Sequence, residues 1–112
     1  MIKNISNLGD AALYCDFGTE VNKETNSKVI RYFKSVKKKE IQGIINLTPS
    51  YNKLIISFDL KKTNFNEIKK KIENLDLNET KFEPKKRIEI PICCNDDFSL
   101  DIGRLEKKLS LK

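Results

Sequence analysis

Hydrophobic and polar positions along the chain fall into short alternating runs and two longer helical stretches. Residues 2–8 begin with Ile2 and Ile5 among polar neighbours and read as a short strand. Gly9-Asp10 is a turn signal. Residues 11–17 then alternate, with Ala11, Leu13, Cys15 and Phe17 on one face, and Gly18 closes the run. These two strands form a hairpin. Val29, Phe33 and Val36, with Ile30 beside them, recur at helical spacing behind Asn22 or Thr25, either of which suits an N-cap. Two β-prone runs, 44–47 and 54–58, flank the polar stretch Thr48-Pro49-Ser50-Tyr51-Asn52-Lys53 and predict a central hairpin. Phe65, Ile68, Ile72 and Leu75 form the buried face of a second helix, capped by Thr63 or Asn64. Ile88, Ile90 and Ile92 alternate with Arg87, Glu89 and Pro91, which predicts a last strand over 87–93. Pro91 has no N–H to donate, so that strand belongs at an edge or leaves the sheet. Ser99 suits the cap of a short final helix carrying Ile102, Leu105 and Leu109 on one face.

The order is β-β-α-β-β-α followed by a strand and a short helix. Two helices on one face of an antiparallel sheet make a two-layer α+β sandwich. A polar connector over 78–86, containing Pro84, divides an α+β unit of residues 1–86 from the segment 87–112.

Charge changes this picture little. The chain of 112 residues carries a net charge of +6 with a pI of about 9.2, and 38% of it is hydrophobic and 34% charged. Nearly all the positive charge is lysine, with arginine only at Arg31, Arg87 and Arg104. Abundant lysine, asparagine and isoleucine together are what an AT-rich genome supplies. Lys34, Lys37, Lys38 and Lys39 crowd the end of the first helix, where cations suit the negative pole. Lys69, Lys70 and Lys71 occupy the solvated faces of the second helix, and Glu67–Lys71 is a favourable i, i+4 pair. Nucleic-acid sites lean on arginine and interleaved aromatics, so this balance argues against nucleic acid, although a basic nucleic-acid-binding domain stays as a third reading. No apolar run approaches the roughly 20 residues of a membrane span. Residues 1–4 lack a secretory h-region, so the expectation is a cytoplasmic chain with no membrane partner.

Candidate chemistry is sparse. The chain has no histidine, which removes Ser-His-Asp and Cys-His catalysis within it. The cysteines, Cys15, Cys93 and Cys94, are odd in number and contain no Cys-x-x-Cys, which argues against a disulfide framework and the familiar zinc sites. Asp10 can orient a substrate or a partner protein, or bond its own backbone in the turn. Tyr51, beside Pro49 and Ser50 at the hairpin tip, can stack on a ligand or simply cover the hairpin. Asp96 and Asp97 can bind a cation or accept protons, or be solvated loop acids. Cys93 reads as a small hydrophobe rather than a nucleophile, since no histidine activates it. Lys85-Lys86-Arg87 can meet a phosphate or serve as a basic linker.

Three segments carry a family resemblance. Leu8-Gly9-Asp10-Ala11-Ala12-Leu13 followed by Phe17-Gly18 resembles a G-D-x-A-L start with a later F-G. Pro49-Ser50-Tyr51-Asn52-Lys53-Leu54-Ile55-Ile56 is similar to a P-[AS]-Y-x-S-L-x-[IV] hairpin. Ile88-Glu89-Ile90-Pro91-Ile92-Cys93 is similar to an [IV]-x-[IV]-P-V-C segment. In this order and spacing they resemble the N-terminal domain of the KipI/PxpB family, which includes the B component of bacterial 5-oxoprolinase, sporulation kinase inhibitors and proteins labelled allophanate hydrolase subunit 1. Departures stand at Lys53, where the family has serine, and at Asn95, Asp96, Ser99 and Leu100, where it has a Y-G-G-E-F-G-P-D-L continuation. Lost glycines remove easy positive-φ geometry from that loop.

The resemblance implies part of a multi-subunit enzyme that opens 5-oxoproline to glutamate with ATP hydrolysis, partnered by subunits A and C. It implies that ATP is used by the assembled enzyme and that this domain binds no cofactor or metal alone. Family members carry a cyclophilin-like barrel as their second half, so the expectation is either a cut piece or a naturally short or split version, and a piece that is inactive alone. The tentative substrate- or partner-binding residues are Asp10, Pro49, Ser50, Tyr51, Asp96 and Asp97. A KipI-like inhibitor of a histidine kinase is the alternative on the same fold.

Overall fold

A computed structural model describes residues 1–77 and 86–110. The first strand, β1, spans Asn4–Asn7 and pairs antiparallel with β2, Ala12–Asp16. The helix α1 spans Lys23–Lys39, β3 spans Ile44–Pro49, β4 spans Lys53–Phe58, α2 spans Phe65–Glu73 and α3 spans Ile102–Leu109. The four strands form one antiparallel sheet in the order β1-β2-β4-β3. The two hairpins therefore meet through β2 and β4, which pair from Ala12↔Ser57 to Asp16↔Lys53.

Burial follows the alternation. Leu13, Cys15 and Phe17 from the β2 run and Leu54, Ile56 and Phe58 from β4 point to the same face and are buried there. Val29 and Val36 of α1 and Ile68 and Ile72 of α2 close over them, giving one core between sheet and helices. Each such side chain contributes about 1.5–3 kcal/mol on leaving water. Phe33, Phe65 and Leu75 pack at the margin, as does Ile5 on β1. The Phe17 and Tyr32 rings meet edge to face, with centroids 5.3 Å apart.

Caps and turns then fix the frame. Asn22 fills the α1 cap, accepting from the Thr25 amide at 2.9 Å, and Asn64 does the same for α2 with the Glu67 amide at 3.0 Å. Thr63, the other candidate, donates its hydroxyl to the Glu67 carboxylate at 3.0 Å, which draws that carboxylate toward the helix start. Lys37, Lys38 and Lys39 lie in the last turn of α1, as the dipole favours. Between β4 and α2, the Asp59 carbonyl accepts from the amides of Lys62 and Thr63, and the Asp59 amide donates to the Gly43 carbonyl at 2.8 Å. Arg31 donates from Nε and Nη2 to the Leu77 carbonyl and ties the chain leaving α2 back to α1.

The strand expected over 87–93 is not formed. These residues make no ladder with β1, β2, β3 or β4, and Ile88, Ile90 and Ile92 are 77, 76 and 80% exposed. Alternation gives a segment two faces, but a strand also needs a neighbouring strand to satisfy its amides. The described part of this chain supplies none at that place, and Pro91 removes one donor besides. The final helix does form, yet Ile102, Leu105 and Leu109 are exposed. Its N-cap is Asp101, whose carboxylate makes no capping bond and pairs with Arg104 at 3.1 Å. Ser99 instead donates its hydroxyl to the Cys94 and Asn95 carbonyls. The connector expected over 78–86 lies outside the described residues apart from Lys86, and Lys85 of the basic triplet lies outside them too.

Candidate functional site

Antiparallel pairing of β2 with β4 brings two distant stretches to one end of the sheet. Lys53 opens β4 directly opposite Asp16, the last residue of β2. Its ammonium donates to Asp16 Oδ1 and, at 2.7 Å, to the Gly18 carbonyl. Asp16 Oδ1 also accepts from the Gly18 amide at 2.7 Å. The Lys53 bond, and after it the Gly18 amide, hold the Asp16 carboxyl below its usual range. Gly18 has φ of +124°, and a Cβ there would come within 2.9 Å of Lys3 Nζ. The positive φ therefore favours glycine at this corner, while the flexible end of Lys3 can swing away from a Cβ.

The hairpin tip is fastened to the same corner. The Phe17 amide donates to the Asn52 carbonyl at 3.0 Å, and the Ser50 amide to the Lys53 carbonyl at 2.9 Å. From the first turns of α1, Asn26 Nδ2 donates to the Ser50 and Tyr51 carbonyls at 3.3 and 3.2 Å. A shallow cleft of about 320 Å³ lies here, lined by Asn26, Ile30, Pro49, Ser50 and Tyr51. The Tyr51 side chain stands 70% exposed beside it. The arrangement offers an aromatic ring, a hydroxyl at Ser50 and an apolar floor, which suits contact with another surface.

The other sequence candidates do not join this cluster. Asp10 is exposed in the β1–β2 turn at the opposite end of the sheet, where the Phe58 amide donates to the Ala11 carbonyl. Four positions of β4 separate the Asp16↔Lys53 and Ala12↔Ser57 pairs, about 13 Å of strand. Asp96 and Asp97 are exposed in the turn before α3, and Cys93 is exposed as well, not the small buried hydrophobe expected. Pro49, Ser50 and Tyr51 stay together; Asp10 and the two later acids stand apart. Among the described residues no group of histidine, cysteine, aspartate or glutamate is placed to hold a metal ion. Asp16, Asn26 and Lys53 carry the geometry that sequence reasoning missed. The only signal in the sequence was Lys53 as a departure from serine. Its partner lies 37 positions away, a separation that only strand register closes.

A two-layer α+β domain in which the Phe17-Gly18 corner and the Pro-Ser-Tyr hairpin meet is the class of protein this geometry defines. Residues 3–112 match the family described as "Carboxyltransferase domain, subdomain C and D", and the chain belongs to that family. It is similar to the B subunit of 5-oxoprolinase from Bacillus subtilis (strain 168), with 24% identity over 115 residues, covering 92% of this chain and 48% of that protein. The chain thus spans about half the length of the curated relative it matches. Among solved structures it is similar to the conserved uncharacterized protein PH0987 from Pyrococcus horikoshii. That likeness has a TM-score of 0.60 and 27% identity, over 62% of this chain and 32% of the other. The kinship suggested by the three sequence segments is borne out at the level of the family.

Proposed function

We propose that this chain is the amino-terminal part of a PxpB-like component of an ATP-dependent 5-oxoprolinase. In this reading it supplies an interface and one wall of the site, and the partner subunits A and C supply the rest, including the ATP chemistry. The supporting observation is that two of the three family-like segments, separate in sequence, are bonded through Lys53, Asp16, Gly18 and Asn52 into one largely covered corner, from which only the Ser50-Tyr51 tip is exposed. A corner of that kind, with Tyr51 outermost, suits docking more than self-sufficient catalysis. The exposed isoleucines of 88–92 fit the same reading: the resemblance places a cyclophilin-like unit after them, whose surface would cover them.

The test is co-expression of the gene with candidate A and C partners, followed by an assay of 5-oxoproline-dependent ATP hydrolysis. Activity that requires all components supports the proposal. A folded, complete complex that hydrolyses no ATP in response to 5-oxoproline refutes it. Tyr51→Ala is expected to weaken capture of the partner subunits without lowering the thermal midpoint of the isolated chain, since its side chain is largely in solvent.

A further inference from the structure

The hairpin tip is held by a side chain that neither of its strands provides. Asn26 lies just inside α1, and its backbone amide makes an ordinary helical bond to the Asn22 carbonyl at 3.0 Å. Asn22, not Asn26, fills the cap. The helix therefore has no need of an amide side chain at position 26, where asparagine is a poorer helix former than alanine. The side chain instead reaches 24 and 25 positions along the chain, giving one nitrogen to the carbonyls of both Ser50 and Tyr51. Those two carbonyls define the backbone of the turn from which the exposed Tyr51 ring projects.

A short polar turn left to itself samples several backbone states, and a partner that binds one of them must meet the cost of ordering it. Two bonds from a residue anchored in a helix remove that freedom beforehand. We propose that Asn26 is a positioning residue that presets the hairpin tip, so that Tyr51 is displayed in one orientation when a partner protein docks. This rests on the reading of the tip as a contact surface.

Amide hydrogen exchange on the whole chain tests it, comparing the unaltered protein with Asn26→Ala and Asn26→Asp. Aspartate keeps the size of the side chain and suits the positive start of a helix, but it has no N–H to donate. Both variants are expected to speed exchange about tenfold or more at Ser50 and Phe17, whose amides bond within the tip. The amides of Leu54 and Ile56 in β4 should change little, and in Asn26→Asp the thermal midpoint should hold. Unchanged exchange at Ser50 and Phe17 in both variants overturns the proposal, as does a uniform acceleration that spares nothing in β4. Partner capture, measured beside Tyr51→Ala, keeps the two ideas apart. If Tyr51→Ala weakens capture and a loosened Asn26→Asp tip does not, presetting is refuted. If Tyr51→Ala leaves capture intact, the contact reading falls, while the exchange data still decide the role of Asn26 in the tip.

Discussion

Asp16 and Lys53 form a pair at the sheet end whose strength depends on acid. The Lys53 ammonium and the Gly18 amide favour the ionised carboxylate, so the folded pKa of Asp16 lies below the ordinary 3.8. The stabilisation is complete above that ordinary value and is lost as pH falls through the lower, folded one. The Asp16 side chain is 34% exposed and Lys53 20%, so solvent screens the pair, and its worth is under about 1 kcal/mol. Urea melts at neutral pH and below pH 3.8 should show that Asp16→Asn loses less stability on acidification than the unaltered chain. Equal losses would mean that the pair contributes nothing net. Cys15 offers a sharper contrast. It is fully buried, and desolvation pushes its thiol up to about 12, while Cys93 and Cys94 are exposed. An aromatic disulfide reagent should titrate two thiols in the folded chain and the third only in denaturant. Rapid reaction of all three would contradict the placement of β2 in the core.

The elements owe their positions to a few local devices. Gly43 leads from α1 into β3 with φ of +93°, and a Cβ there would stand 2.6 Å from Thr63 Cγ2. The Gly43 carbonyl also accepts the Asp59 amide, so this corner fastens β3 to the turn before α2. Gly43→Ala is therefore expected to cost about 1–3 kcal/mol, from an unfavourable φ and a contact that must be relieved. Thermal melts check it, and a loss under about 0.5 kcal/mol would show that the turn gives way easily. Beside this corner β3 begins irregularly: the ladder with β4 shifts between Ile44 and Asn46, which leaves Ile45 as a bulge, 69% exposed.

At the scale of the whole molecule, the buried core among the described residues is confined to the stretch between Leu13 and Ile72. Beyond the Arg31 bonds to Leu77, the described chain from 86 to 110 adds no buried side chain. The radius of gyration is 19.5 Å, against about 13 Å for a compact chain of this length. Limited trypsin digestion should therefore cut first at exposed basic residues such as Arg87 and Arg104, whose side chains are 87 and 74% exposed. The remaining body should keep its β-sheet circular dichroism and its thermal midpoint. A body that melts earlier after the cut would show that the later segment contributes stability. No described helix is long and apolar enough to cross a membrane.

The alternation of Leu13, Cys15 and Phe17, and of Leu54, Ile56 and Phe58, determined the strands and their buried face, because a two-residue period admits only one side to the core. The 3.6-residue spacing of Val29 with Val36 and of Ile68 with Ile72 determined the helices in the same way, and narrowed their caps to Asn22 or Thr25 and to Thr63 or Asn64. The polar tip between the central strands was legible, although Pro49 proves to end β3 and only Ser50 and Tyr51 are exposed. Tertiary structure decided what lay beyond local pattern. Only the β2–β4 register sets Lys53 against Asp16 and sends Asp10 to the far end of the sheet. Only the packing of α1 brings Asn26 to the tip. The isoleucines of 87–93 have the pattern of a strand and no strand to pair with, because a ladder needs two segments and sequence alternation describes one.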